Sequence, residues 1–419
     1  MKVLKLWMIP LFVFISFSCD NNIDGDSGTV KPPVKIELTP TEVKLTGDSK
    51  NFTMELFSSV YELNTANPNM ENIVLSPMSL QMALAMVWNG ADSETKTAIQ
   101  KAMGMKDYSK EDVNNYFKKI REAFIETDPT TKLAIANSIW YRENLSVLPD
   151  FINLNRVYYN AAIEKVDFTS QQTLDRINNW CSDNTNGLIT KMLNEIPADA
   201  AMYLLNALYF KGMWSDTYGF DKSITVDMPF NKESGDIASV KMMKQNNRLP
   251  YYKDKYLSMT SLPYGNGAFS MVLVLPENSV SLDELRKKLT EPGYWENCVK
   301  TLYTRDVDLF LPRFKIEYEI ELDKTLEQLG MGIAYSNLAD FSKISSTPLS
   351  ISKVKQKTFL EVNEEGTEAA AVTSIEMNFT STGEVNPPAI FCADRPFLFA
   401  IQENSSGSIL FMGKIGSPE

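Results

Sequence analysis

The side chains that could perform chemistry are few. The 419-residue chain has no histidine. That removes the arrangements in which an imidazole activates a serine or cysteine, histidine-ligated zinc and the commonest general base. Its four cysteines, Cys19, Cys181, Cys298 and Cys392, lie far apart. They form no CxxC pair and, with Cys19 set aside, no even-numbered disulfide framework. No P-loop and no GxGxxG is present to cradle a phosphate. Carboxylate pairs remain, as they do on any acidic surface. The expectation is a protein with no catalytic residue, no metal and no cofactor of its own.

What stands out instead is a stretch on which chemistry could be done, Glu364 to Ser381, EEGTEAAAVTSIEMNFTS. Read with period 2, Thr367, Ala369, Ala371, Thr373, Ile375 and Met377 share one face, small at one end and apolar at the other. Glu368, Ala370, Val372, Ser374, Glu376 and Asn378 share the opposite face, which holds both carboxylates that lie beyond Thr367. That is the pattern of a strand with one buried side. Gly366, three alanines and few β-branched residues nevertheless make it a poor strand by propensity. With no proline, every N–H could join a ladder. Two readings fit: an exposed loop that happens to alternate, or a segment that is a loop in one state and a central strand in another. We favour the second.

The run Glu361-Val362-Asn363-Glu364-Glu365-Gly366-Thr367-Glu368-Ala369-Ala370-Ala371 closely resembles the reactive-centre-loop hinge of the serpins, and further matches follow in that family's order over roughly residues 50 to 416. The resemblance implies an α+β serpin fold with about nine helices, three sheets, a large central sheet and an exposed reactive-centre loop over about 364–393. It implies a suicide substrate: a serine protease acylates on the loop, and insertion of the cleaved loop into the central sheet distorts the enzyme before water releases it. Glu364, Gly366, Thr367, Ala369, Ala370 and Ala371 would form the hinge. The reactive bond would be Thr380–Ser381, with Met377 to Gly383 as candidates because the loop is longer than usual. From Thr358 to Asp394 there is no Lys or Arg, so elastase-like or chymotrypsin-like enzymes are the expected targets, with a cysteine protease as a further candidate. As a strand, Gly366 to Thr380 would span ~46 Å, against a diameter of ~54 Å for a globule of this size. A non-inhibitory serpin acting as a surface binding or structural protein is the alternative; small hinge residues favour inhibition. A hydrolase is disfavoured by the missing histidine.

The elements that must position this loop are legible in part. Phe52–Tyr61 and Ser79–Asn89 have helical periodicity, the second opened by Pro77 and closed at Asn89-Gly90. Leu133–Trp140 reads as a buried strand and Thr173–Asn184 as a helix. The near-continuous apolar run Met202–Trp214 reads as a strand covered on both faces. Asn206 in its middle must find hydrogen-bond partners or cost ~1–3 kcal/mol. Phe269–Pro276, Val307–Ile316 and Ser350–Asn363 read as strands, Leu322–Leu329 as a helix ended by Gly330, and Asp394–Phe399 with Ile409–Ile415 as the closing strands. In the serpin resemblance Ser76, Ser79 and Asn206 belong to the shutter, the polar cluster beneath the parting strands. Trp214 belongs to the breach, where the loop first enters, and Arg313 pairs with Glu364. Gln356 stands where serpins usually have histidine; an amide can still donate and accept.

At the N-terminus, two lysines, an apolar run from Leu6 to Phe17 and Ser18-Cys19 describe a secretory signal over residues 1–18. Ser16-Phe17-Ser18-Cys19 resembles a lipoprotein box, making Cys19 the acylated first residue; an ordinary signal peptide is the alternative. Residues 19–36, rich in Asp, Asn, Gly and Pro, read as an acidic flexible tether. Asp20, Asp24 and Asp26 resemble the export tag of Bacteroides-type surface lipoproteins. The expected location is the outer membrane, facing outward, with a periplasm-facing anchor as the alternative, and residues 37–419 form the serpin domain. A formal charge of −12 without a basic cluster argues against nucleic acid and anionic membrane surfaces. The expected partner is the protease, the expected state a monomer, and the membrane is touched only through the lipid.

Overall fold

Helix α1 spans Pro40–Asn64 and begins well before its apolar stripe. The sequence Thr39-Pro40-Thr41-Glu42 explains the early start. Glu42 Oε2 accepts from Thr39 N at 2.7 Å and Thr39 Oγ1 accepts from Glu42 N at 3.3 Å, a reciprocal cap with proline at the first helical position. The computed structural model describes residues 31–64, 71–198, 200–367 and 387–418. After α1 come β1 (Ile73–Leu75), α2 (Pro77–Trp88), α3 (Ser93–Ala102), α4 (Lys110–Glu126), β2 (Lys132–Arg142), α5 (Pro149–Tyr159), β3 (Ala162–Val166), α6 (Gln171–Asn184) and β4 (Met202–Met213). The remainder is strand-rich: β5 (Val226–Asn231), β6 (Ile237–Lys253), β7 (Leu257–Tyr264), β8 (Phe269–Pro276), then α7 (Leu282–Leu289), α8 (Tyr294–Lys300), β9 (Tyr303–Pro312), β10 (Phe314–Glu321) and α9 (Asp323–Leu326). The chain closes with β11 (Lys355–Asn363), β12 (Gly366–Thr367), β13 (Ala389–Cys392), β14 (Phe397–Glu403) and β15 (Ile409–Ile415).

Besides the early start of α1, four boundaries differ from the sequence expectation, each for a local reason. Val307–Ile316 is not one strand: the chain breaks at Arg313, and β9 and β10 lie in different sheets. Pro312 has no N–H for a ladder; Arg313 N still holds to β6 through Lys241 O at 2.9 Å, and from Phe314 onward the chain pairs with β11 instead. The strand expected from Ser350 starts only at Lys355, because Ile351 N bonds Ala334 O at 2.9 Å and Val354 N bonds Asp323 Oδ1 at 2.6 Å. The helix expected from Leu322 to Leu329 is α-helical only over α9 and loosens over the residues that follow, and it is broken at Gly330, φ 103°, where the stop was expected. The loop expected to run to residue 393 ends earlier, since β13 pairs in parallel with β9. Part of the expected tether also docks on the domain. Val34 O accepts from Thr127 Oγ1 at 2.5 Å, and Ile36 N donates to Ser405 Oγ at 2.9 Å.

The larger sheet runs β1-β15-β14-β8-β7-β6-β9-β13, with β5 on β6. Long β6 serves both ends, pairing with β9 along Met242–Tyr251 and with β7 along Tyr251–Lys253. It joins the two ends into one continuous sheet, so by pairing the described strands form two sheets where three were expected. The central sheet runs β10-β11-β12-β4-β2-β3. Its middle strand, β4, is covered on both faces as its apolar run requires. Phe210 belongs to the main core, while Leu205 joins Trp140, Val166, Ile177 and Cys181 in a second core beneath α6.

Candidate functional site

The site is the line down the central sheet between β4 and β11, its top and its midpoint. Among the described residues no ladder joins these two strands directly; β12 stands between them, antiparallel to both. Thr367 lies opposite Val362 of β11 and Gly212 of β4, and Gly366 opposite Asn363 and Met213. Gly366 has φ 145°, and a Cβ there would lie 2.3 Å from Gly212 O, so only glycine fits. Thr367 is 2% exposed and its hydroxyl is 2.8 Å from the Tyr264 hydroxyl. Tyr264 in turn stacks on Trp214, centroids 4.6 Å apart and planes at 13°. A Cβ on Gly212 would meet that Tyr264 ring at 2.8 Å, so glycine there is what lets Tyr264 reach Thr367.

The turn before the hinge is fastened from three sides. Trp214 Nε1 donates to Asn363 O at 3.0 Å, Trp214 N to Glu365 O at 2.9 Å and Phe220 N to Glu364 O at 2.9 Å. Arg313 Nε donates to both Glu364 oxygens, at 2.7 and 2.6 Å, its second nitrogen also reaches Oε1, and Thr225 Oγ1 adds a bond at 2.6 Å. Lys222 pairs with Glu365. The Glu364 side chain is 1% exposed whereas Arg313 is 40% exposed, so the carboxylate is enclosed and the guanidinium is shared with solvent. Burial opposes its ionisation, but the Arg313 and Thr225 bonds outweigh burial and hold the Glu364 carboxyl below its ordinary range.

Beneath the sheet the first turn of α2 bridges the same line. Gln356 of β11 accepts from Ser76 N at 3.0 Å and donates to Ser76 O at 2.9 Å, so the amide in the histidine position engages the helix start with both ends. Ser79 Oγ donates to Asn206 Oδ1, and Asn206 Nδ2 donates to Asn137 Oδ1 at 2.6 Å. Asn137 Nδ2 then reaches Tyr159 O at 2.7 Å. The polar side chain inside β4 is thus satisfied, as burial demands.

The structure therefore brings Ser76 together with Gln356, Ser79 with Asn206, and Arg313 and Trp214 with the Glu364–Thr367 turn. Ala369, Ala370, Ala371, the Thr380–Ser381 bond and Cys19 lie outside the described residues. Sequence reasoning missed Asn137, Thr225 and Tyr264. Asn137 carried the same signal as Asn206, a lone amide in an apolar strand run; Thr225 and Tyr264 carried none, because their partners are more than a hundred residues away.

A family model described as "Serpin (serine protease inhibitor)" matches residues 48–418. Human "Serpin B8" is 34% identical over 370 residues, covering 86% of this chain and 96% of its own. Human "Leukocyte elastase inhibitor" is 34% identical over 388 residues, 90% of this chain and 100% of its own. Among solved structures, the thermophilic serpin tengpin in its native state superposes with a TM-score of 0.80 at 35% identity, covering 93% of this chain and 97% of its own.

Proposed function

The chain belongs to the serpin family, a family of protease inhibitors rather than enzymes, and we propose that it is a suicide-substrate inhibitor of elastase-like serine endopeptidases, with chymotrypsin-like enzymes second. The observation that carries this reading is the hinge already seated at the top of the central sheet, in register with both neighbours. Continuing that register after cleavage would bring Ala369 between Phe210 and Leu360, Ala371 between Leu208 and Thr358, and Thr373 between Asn206 and Gln356. Small side chains would thus pass the apolar flanks, and a hydroxyl would arrive at the polar level of the strands. Attack by the protease on the loop forms the acyl-enzyme; insertion then carries the attached enzyme to the far end of the sheet. The likeness to leukocyte elastase inhibitors supports the target class. So does a loop without Lys or Arg from Thr358 to Asp394, since a trypsin-like pocket would leave its carboxylate unpaired.

The test incubates the chain with elastase-, chymotrypsin- and trypsin-like proteases. We expect an SDS-stable complex of summed mass with the first, less with the second and none with trypsin. Mass spectrometry of the released C-terminal fragment fixes the bond, expected at Thr380–Ser381. A stable trypsin complex, or a fragment starting outside 378–384, overturns the assignment. We further propose that the protein is held at the outer membrane through Cys19, facing outward.

A further inference from the structure

Beside the top of the central sheet the described residues leave an open cavity of about 400 Å³, within the size range of small-molecule sites. Lys222, Arg313 and Lys315 line it together with Phe314, Val362 and Pro418. Each cation has a carboxylate partner: Lys222 has Glu365, Arg313 has Glu364, and Lys315 has Glu361 at 3.3 Å. These six groups sum to zero charge, so net charge selects no ligand. Their placement does. In every pair the carboxylate is the enclosed member, its side chain 10%, 1% and 29% exposed in turn, and the cation is the outer one, at 52%, 40% and 67%. A solute entering from water therefore meets three cationic heads before any carboxylate. The heads come from positions 222, 313 and 315, so no basic cluster in the sequence announces them.

Donors remain for a ligand. Arg313 gives its Nε and one terminal nitrogen to Glu364, and among the described residues its other terminal nitrogen has no hydrogen-bond partner. An ammonium carries three donors, and the exposed Lys315 has a single ion-pair partner, Glu361. Phe314, Val362 and Pro418 are buried residues, so the wall they offer is apolar and fixed. We propose that this cavity binds a small organic anion. A carboxylate or sulfonate group is held at the mouth by Arg313 and Lys315, and a flat apolar body rests on Phe314, Val362 and Pro418. Bound through the unpartnered Arg313 nitrogen, the anion leaves the Glu364 bonds in place. The site does not depend on loop insertion, because no residue between Thr367 and Pro418 takes part in it.

The full chain is titrated calorimetrically with three probes. Naphthalene-2-sulfonate carries both parts, 2-naphthylmethanol lacks the charge, and inorganic sulfate lacks the apolar body. We expect the sulfonate to bind at a single site with Kd on the order of 0.1 mM, and the other two to bind at least about tenfold more weakly. Lys315→Met, which keeps the stem and removes the cation, should weaken the sulfonate roughly fivefold to tenfold. Lys315→Arg should hold it near the parental value. Lys353→Met is the control: it removes a comparably exposed pair, to Glu321, at the opposite end of β10, and should change nothing. Should Lys315→Met fail to fold, Lys315→Gln carries the same expectation. A parent that binds no sulfonate, a neutral alcohol or bare sulfate that binds as tightly, or a Lys315→Met protein indistinguishable from the parent overturns the site. So does an equal loss in Lys353→Met. None of these outcomes bears on protease trapping, which the SDS-stable complex scores separately.

Discussion

At the residue scale the decisive position is Thr367. It is the first side chain of the hinge on the buried face, enclosed by Tyr264 and level with Val362 and Gly212. Thr367→Arg would bury an unpaired charge there, at a cost of several kcal/mol, in the step that must outrun deacylation. We expect the variant to be cleaved by an elastase-like protease at the parental rate but to release it, so that a denaturing gel shows cleaved protein in place of complex. An undiminished complex band in this variant sinks insertion as the mechanism.

At the element scale the question is what keeps the top of the sheet together. An exposed ion pair is worth ~0–1 kcal/mol and breaking a buried one costs ~3–5 kcal/mol. With Glu364 enclosed and Arg313 40% exposed, the pair falls toward the lower end. Arg313→Ala should then speed loop insertion and polymerisation on mild heating by roughly fivefold to thirtyfold, read on native gels. A double-mutant cycle with Glu364→Gln that shows no coupling retires the idea. The sign with pH follows from linkage. The folded pKa of Glu364 is lowered from its ordinary 4.5, so its stabilisation is fully present above about that pH and is lost as pH falls through the depressed value. Acidification below the ordinary carboxylate range should therefore accelerate polymerisation of the parent, and Arg313→Ala should blunt that acid response.

At the scale of the whole molecule, the serpin domain and the lipid anchor are separable expectations. The segment behind Cys19, DNNIDGDSGTVKPPV, offers no second apolar anchor. Cys19→Ser should release a soluble protein into the medium or periplasm with its protease complex formation unchanged, scored by membrane fractionation. A Cys19→Ser protein that stays in the membrane fraction ends the lipoprotein reading without touching the inhibitory one.

What the sequence determined by itself is what composition and local pattern can encode. A chain without histidine has no imidazole chemistry. The alternation from Thr367 to Met377 is a pattern of two faces whatever strands lie beside it, and the absence of Lys and Arg from Thr358 to Asp394 is the argument for expecting no trypsin-like target. Gly366 and the near-continuous apolar run of β4 were legible for the same reason: each is a demand made by one residue or one strand on its own backbone. The family resemblance pointed to Arg313 and Glu364 as a pair, but their geometry, one enclosed and one half in solvent, needed the fold. Tertiary structure alone decided the rest. It turned the chain between two sheets at Arg313, because where a proline-ended strand goes next depends on which strand offers a partner, here β6 as far as Arg313 and β11 from Phe314. It also delivered Thr225 to Glu364 and Tyr264 to Thr367 across 139 and 103 residues of sequence. Hydrophobic period fixes which side of a strand is buried; it carries no information about which strand lies next to it, and the contacts that hold this sheet closed are all of that second kind.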